Sequence, residues 1–251
     1  MSTGCIFTYD VLTQTSYFEI QSINVSGNSI RPTEMILEMA NVHEGMNLLS
    51  LKVYNIKDIL EADPWIISVE VDREFNHNQL NITVKERNPV AVFVIQDQKL
   101  LMDDQFSIFK ELEPDDPVQV PYIFGFELYD LPFFNEELSL PFQAICDSLT
   151  ILNQSPLIKD MIQLIDVDRD IGISLFTHDR QVEIQMGYSQ YNDKFKQLQR
   201  LLTYLTTQKI DKMIQYIDLT DIYRIVVRKR LNEKPTARRD NIECVALLRL
   251  L

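Results

Sequence analysis

The sequence is poor in the residues from which chemical sites are usually assembled. Its 251 residues include three histidines, three cysteines, one tryptophan and six glycines. Cys5, Cys146 and Cys244 lie too far apart for a CxxC or Cys/His metal spacing, and their odd number argues against a disulfide framework. The glycines never cluster, so no phosphate-cradling loop can be drawn. His43, His77 and His178 fall in predicted loops without a serine or cysteine in a GxSxG-type elbow, and they read as surface residues. No apolar run reaches the ~20 residues of a bilayer-crossing helix. The opening stretch MSTGCIFTYDVLTQTSY lacks the charged start and apolar middle of a signal peptide. A basic excess is also missing. The formal net charge of −13 repels nucleic acid unless a local patch overrides it. The densest basic run, Arg224, Arg228, Lys229, Arg230, Lys234, Arg238 and Arg239, has few aromatics between its charges and reads as a strand end and solvated tail. Composition alone points to a cytosolic protein.

What is present is patterning. Apolar residues make up 45% and charged residues 24%, a mixture that folds, and the length suits one large domain or two ordinary ones. FEIQSINV reads as a strand ending at the turn Ser26-Gly27-Asn28. RPTEMILEMANV follows as a helix with Ile36, Met39 and Ala40 on one face. LLSLKVYNIKDILEA reads as a second helix with Ile56, Ile59 and Leu60 aligned. Pro64 stops that helix near Ala62 and pushes Asp63 towards an extended backbone. Ile67, Val69 and Val71, then Leu80, Ile82 and Val84, alternate with polar residues on either side of FNHNQ, which predicts an antiparallel hairpin with one apolar face. Two helices laid on that face make a small α+β layer pair. Trp65, at the junction of helix and hairpin, is expected to close the end of its core.

From residue 88 the texture changes to short apolar runs, 90–95, 100–102, 108–109 and 122–124, divided by turns such as LEPDDPVQVP. A helical stretch is predicted near 135–152, then strands in IQLIDV, IGISLF and VEIQM. The clearest helix spans 191–208: Phe195, Leu198, Leu201, Leu202 and Leu205 form its stripe, with Lys194, Lys196 and Arg200 outside. QYIDL and YRIVVRK close the pattern as strands, so helices are expected to pack on an antiparallel sheet.

The carboxylates suggest little chemistry. Asp166, Asp168 and Asp170 begin like a calcium loop, but Ile171 stands where the turn glycine belongs and Thr177 where the closing glutamate belongs. They read as solvated turn carboxylates. Asp103 and Asp104 occupy a turn between two apolar runs, where they are expected to face water. No metal site, cofactor or catalytic residue is predicted.

YFEIQSINVSGN, GMNLLSLKVYNIKDILEADPWIISVEVDRE, LNITVKERNPVAVF, LLMDDQFSIF, VPYIFGF and YIDLTDIYRIVVR together resemble the FtsQ/DivIB bacterial cell-division proteins, in the family's order and over roughly residues 17–229. The resemblance implies an α+β chain: a POTRA domain (β-α-α-β-β) at 17–87 and a larger strand-dominated β domain at 88–231. Residues 1–16 would be a juxtamembrane remnant and 232–251 a flexible tail. It implies a non-enzymatic scaffold of the division septum that links early and late division proteins. FtsB/FtsL-like proteins would meet the β domain, and upstream division proteins the POTRA domain. It further implies a single-pass inner-membrane protein with both domains on the periplasmic side. The anchor is not in this sequence, so a piece of a longer protein or a misassigned start is expected. Four departures stand out: REFNHNQL lacks the family's turn proline and is one residue longer, Phe106 replaces the glycine of a D-x-x-G turn, Thr220 replaces a common arginine, and Lys229 stands where some members carry tryptophan. The altered D-x-x-G turn is expected to be built differently.

The last strand-like run, Ile222, Tyr223, Arg224, Ile225, Val226, Val227, Arg228 and Lys229, is followed by no further strand, which predicts a sheet edge open to a partner strand. Ile225 and Val227 would face one way, and Arg224, Val226 and Arg228 the other. Arg169 matches a family position that can pair with a partner carboxylate, and reads equally as a solvated turn arginine. Two rival readings are weighed: a POTRA-containing outer-membrane assembly or transport factor, and a hydrolase using Asp103 and Asp104. Such assembly factors usually repeat the POTRA unit and end in a membrane barrel, and a hydrolase would need a nucleophile-base spacing.

Overall fold

The computed structural model describes residues 16–131, 139–178, 182–208 and 214–229. The chain divides into two compact units, residues 1–88 and 89–251. The expected juxtamembrane remnant and flexible tail lie outside the described residues, apart from Ser16.

The first unit contains β1 (Ser22–Ser26), α1 (Thr33–Ala40), α2 (Val53–Glu61), β2 (Ile66–Glu74) and β3 (Gln79–Glu86). Its sheet runs β1-β3-β2, with β1 parallel and β2 antiparallel to the central β3. The β-α-α-β-β order matches the sequence reading. Gly27 turns the chain out of β1 at φ +81°, and a Cβ there would lie 2.1 Å from the Val84 carbonyl oxygen, so only glycine fits. Ile36 and Ala40 of α1, Ile56 and Leu60 of α2, and Leu80, Ile82 and Val84 of β3 form the core.

Three local expectations are corrected. α2 starts at Val53, because Leu48 and Leu51 are buried from the turns before it. Ile59 points outward, 49% exposed, since the buried face uses only Ile56 and Leu60. In β2 the alternation breaks at its start: the register shifts between Ile66 and Ser68, so Ile66 is buried and Ile67 only partly so.

Trp65 is 0% exposed. Asp63 fixes the approach to it: one carboxylate oxygen accepts the Trp65 N–H at 2.9 Å, and the carboxylate holds Arg31 through Nε at 2.8 Å and Nη2 at 3.1 Å. The Arg31 guanidinium lies 5.9 Å from the indole centroid. On the same loop, Glu86 accepts the backbone N–H groups of Ser29, Ile30 and Arg31 at 2.7, 2.7 and 2.8 Å. Burial pushes this carboxyl up, but those three amides and the Ser29 hydroxyl outweigh it and hold it below the usual range.

The second unit contains β4 (Pro89–Ile95), β5 (Gln98–Asp103), β6 (Ile108–Glu111), β7 (Tyr122–Phe124), α3 (Leu140–Asn153), the short α4 (Pro156–Lys159), β8 (Ile162–Asp168), β9 (Gly172–Thr177), β10 (Glu183–Gly187), α5 (Tyr191–Thr207), β11 (Ile214–Asp221) and β12 (Arg224–Lys229). They build one nine-stranded sheet in the order β12-β11-β10-β9-β8-β7-β4-β5-β6. The α+β class stands, with one difference. The sheet is mixed, because β4–β7, β7–β8 and β10–β11 pair in parallel. Parallel neighbours need a crossover, and α3 and α5 supply it for β7–β8 and β10–β11. α3 starts where Ser139 Oγ accepts the Phe142 N–H at 3.3 Å and proline occupies the first turn. The predicted start of this helix at 135–138 lies outside the described residues.

The register aligns one apolar row across six strands: Ile123, Ile165, Leu175, Ile184, Ile217 and Val227. All six are buried in one core with Phe195, Leu198, Leu201 and Leu205 of α5 and with Ile145 and Leu149 of α3. The neighbouring row, Tyr122, Leu164, Phe176, Glu183, Tyr216 and Arg228, faces the other way and is partly or wholly exposed. A period of two therefore separates a packed face from an open one.

The β5–β6 turn corrects the reading of Asp103 as a solvated carboxylate. Asp103 is 0% exposed, and its carboxylate accepts the N–H groups of Gln105 at 3.0 Å and Ser107 at 2.9 Å. Phe106 adopts φ 61°, a left-handed conformation that glycine takes readily, and its N–H donates to the Asp103 carbonyl at 3.0 Å.

Candidate functional site

β12 lies at one end of the sheet order and pairs with β11 alone among the described residues. Its pairing is antiparallel, and two register shifts place extra residues in β11, between Ile214 and Tyr216 and between Asp218 and Asp221. β12 itself therefore stays regular. Ile225 and Val227 are buried on the helix side, Val226 is half-buried on the open side, and Arg224, Arg228 and Lys229 are exposed. A regular edge strand with one packed face carries a row of backbone N–H and C=O groups turned away from its only neighbour.

One site expectation is corrected in placement. Ile222 and Tyr223 belong to the β11–β12 turn and not to the strand. Two aspartates impose that turn. Asp218 accepts the Thr220 N–H at 2.9 Å and its hydroxyl at 2.6 Å, and Asp221 accepts the Tyr223 N–H at 2.9 Å. Tyr223 stands at the tip of the turn, 86% exposed.

α5 holds this end of the sheet from behind. Lys194 Nζ donates to the Met186 carbonyl at 2.6 Å, and one turn later Gln197 Nε2 donates to the Ile222 carbonyl at 2.6 Å. Lys194, expected outside the helix stripe, is 1% exposed. Its ammonium gains a strong acceptor at the strand end, which a simple apolar stripe cannot register. Burial lowers its affinity for a proton, opposed by Asp218 and Asp221. The only sequence signal for these roles was the spacing of Lys194 and Gln197, which share a face at i and i+3.

On the open face the Arg228 guanidinium lies 4.8 Å from the Tyr216 ring centroid, and the Tyr216 hydroxyl donates to Gln185. Neither Arg224 nor Arg228 makes an ion pair with a described residue.

Arg169 occupies the β8–β9 turn. Asp168 builds that turn by accepting the N–H groups of Asp170 and Ile171 at 2.8 and 2.9 Å, so its carboxylate serves the backbone. Arg169 keeps an exposed position in the turn, its side chain 51% exposed, while Nη2 donates to both oxygens of the buried Asp130, at 3.0 and 2.9 Å, and to the Tyr129 hydroxyl at 2.8 Å. The Asp130 carboxylate pushes the Arg169 pKa further up. The register puts it at the same end of the sheet as the β11–β12 turn: Asp168 faces Gly172, Ile173 faces Gly187, Gln185 faces Asp218, and Asp221 faces Arg224. β9 and β12 are three strand spacings apart, about 14 Å. Gly172 and Gly187 allow close approach there, since a Cβ on Gly172 would lie 2.4 Å from the Gly187 carbonyl carbon.

These features define a class: a small POTRA-type unit followed by a wide mixed sheet that ends in a strand with one neighbour among the described residues. Comparison with known proteins gives the lineage. Residues 18–87 match the POTRA domain, FtsQ-type, and residues 93–220 match the cell division protein FtsQ/DivIB C-terminal family. The cell division protein FtsQ of Syntrophotalea carbinolica is 30% identical over 88% of this chain and 78% of its own. FtsQ of Geotalea daltonii is 28% identical over 88% and 79%. The cell division protein DivIB of Clostridium acetobutylicum is 28% identical over 81% and 80%. The chain belongs to the FtsQ/DivIB family of cell-division proteins, and other division proteins are its implied partners. No helix among the described residues is long and apolar enough to cross a membrane.

Proposed function

We propose that the chain is a non-enzymatic scaffold of the division septum that takes up a strand from an FtsB/FtsL-type partner along β12. Residues Arg224, Ile225, Val226, Val227, Arg228 and Lys229 form the added pairing surface, and Ile222 and Tyr223 flank its entrance. The observation that carries this reading is the regular β12 at the sheet edge with a single neighbour among the described residues. Main-chain hydrogen bonds would supply affinity and the alternating side chains specificity. Arg169 spends Nη2 on Asp130 and Tyr129, and Nε and Nη1, which bond no described residue, would meet a partner carboxylate. The POTRA unit would meet upstream division proteins. Both units would lie on the periplasmic side, held by an inner-membrane anchor, and the molecule would link early and late division proteins by docking.

Residue-resolved amide exchange of the chain, with and without its FtsB-like partner, tests the proposal. Alternate β12 amides should slow on binding, with no comparable change in β6. Unchanged exchange throughout β12 in the presence of bound partner overturns the edge assignment.

A further inference from the structure

We infer that the strand received at β12 carries an acidic–apolar–x–apolar–acidic pattern. This rests on the docking reading above and specifies the partner's chemistry. β12 keeps strict alternation from Arg224 to Arg228. A strand laid beside it in register therefore places two residues, four apart, next to Arg224 and Arg228 on the open face. The two positions next to Ile225 and Val227 fall on the helix side.

The helix-side positions are set by the core. Val227 ends the buried row that starts at Ile123, so a seventh apolar side chain would extend that row, whereas a charge would be desolvated against it. The open-face positions are set by charge. The Arg228 guanidinium lies 4.8 Å from the Tyr216 ring centroid and makes no ion pair with a described residue, so it can meet a partner carboxylate. Arg224 and Lys229 add exposed positive charge along the same strand. The whole chain carries −13, so an acidic segment is repelled over most of the surface and attracted at this edge, which selects the docking site and its register. The central position lies against the half-buried Val226 and suits a small or β-branched residue.

The test uses labelled synthetic peptides with the core Glu-Val-Thr-Val-Glu, its Gln-Val-Thr-Val-Gln counterpart and its Lys-Val-Thr-Val-Lys counterpart, titrated against the whole chain. The Glu peptide should bind about fivefold more tightly than the Gln peptide, as two modest cross-strand charge pairs predict. The Lys peptide should bind least, and the gap should narrow as salt is raised. In a chain carrying Arg224→Gln and Arg228→Gln, the preference for Glu over Gln should vanish. Equal binding of all three peptides, or no binding of the Glu peptide, overturns the pattern. The two failures are separable. If the natural partner slows β12 exchange while the peptides are not discriminated, only the charge pattern falls. If the partner leaves β12 exchange unchanged, the docking reading falls.

Discussion

The nine-stranded sheet has two ends, and they are built differently. At one end β12 is six residues long, regular and basic, and α5 braces this end of the sheet from behind, Lys194 through Met186 of β10 and Gln197 through Ile222 of the β11–β12 turn. At the other, β6 is four residues long, its pairing with β5 slips between Leu101 and Met102, and the chain turns at once into the acidic, proline-containing LEPDDP. Lys110 of β6 is already engaged, with Asp116 at 2.8 Å and Glu113 at 3.5 Å. Short length, a register break, charge and proline are the usual means of blunting an edge. A sheet of this width cannot avoid two ends, and this one blunts β6 while leaving β12 long and supported.

The contrast can be broken most directly with proline. Val226→Pro should abolish capture of the FtsB-like partner in a pull-down while the thermal melt stays near that of the parent, because proline removes a donor and obstructs an added strand. Phe109→Pro in β6 should leave capture by the folded protein unchanged. Equal loss in both variants would erase the distinction between the ends.

The support behind this end of the sheet comes next. Lys194→Ala should cost about 2–3 kcal/mol in denaturant unfolding, from lost buried methylenes and an unpaired Met186 carbonyl. The same residue gives a pH signature. Its folded pKa is depressed, so the native state binds fewer protons than the unfolded chain between the folded value and the ordinary lysine value. The Lys194 contribution to stability should therefore rise with pH through that alkaline window, and Lys194→Met should remove the rise. Gln197→Ala should cost about 1 kcal/mol and loosen exchange in the β11–β12 turn, with no change near β6.

The smallest effect belongs to the opposite end. Gln96 holds φ 54° in the tight β4–β5 turn, where Ile95 pairs with Gln98. Gln96→Gly should raise stability by about 0.5–1 kcal/mol and leave partner capture untouched, since glycine adopts that conformation without the Cβ penalty.

The same contrast shows how far a linear reading reaches. The POTRA-type unit was largely legible because its signals are local: Gly27 at a turn, Pro64 after a helix, and period-two alternation in Leu80, Ile82 and Val84. Where it misled, at Ile59 and Leu48, the spacing fitted a helix face that packing does not use. In the larger unit, Tyr122–Phe124 read as a strand, but its place between β4 and β8 in parallel pairing did not, because the crossovers that put it there span distant segments. Lys194 read as a surface cation and Asp103 as a solvated carboxylate, since charge normally seeks water. Each is buried because a backbone group stands where it can be satisfied.

By itself the sequence determined the two-part α+β plan, the family membership and the alternation of Arg224, Ile225, Val226, Val227 and Arg228, because periodicity and turn chemistry act over a few residues. The tertiary structure decided that β12 has one neighbour among the described residues, that Tyr223 belongs to the turn before it, and that Arg169 shares its end of the sheet with Asp130 as its ion-pair partner. Those facts depend on which strands lie side by side, and neighbourhood in a sheet is a property of the folded chain as a whole.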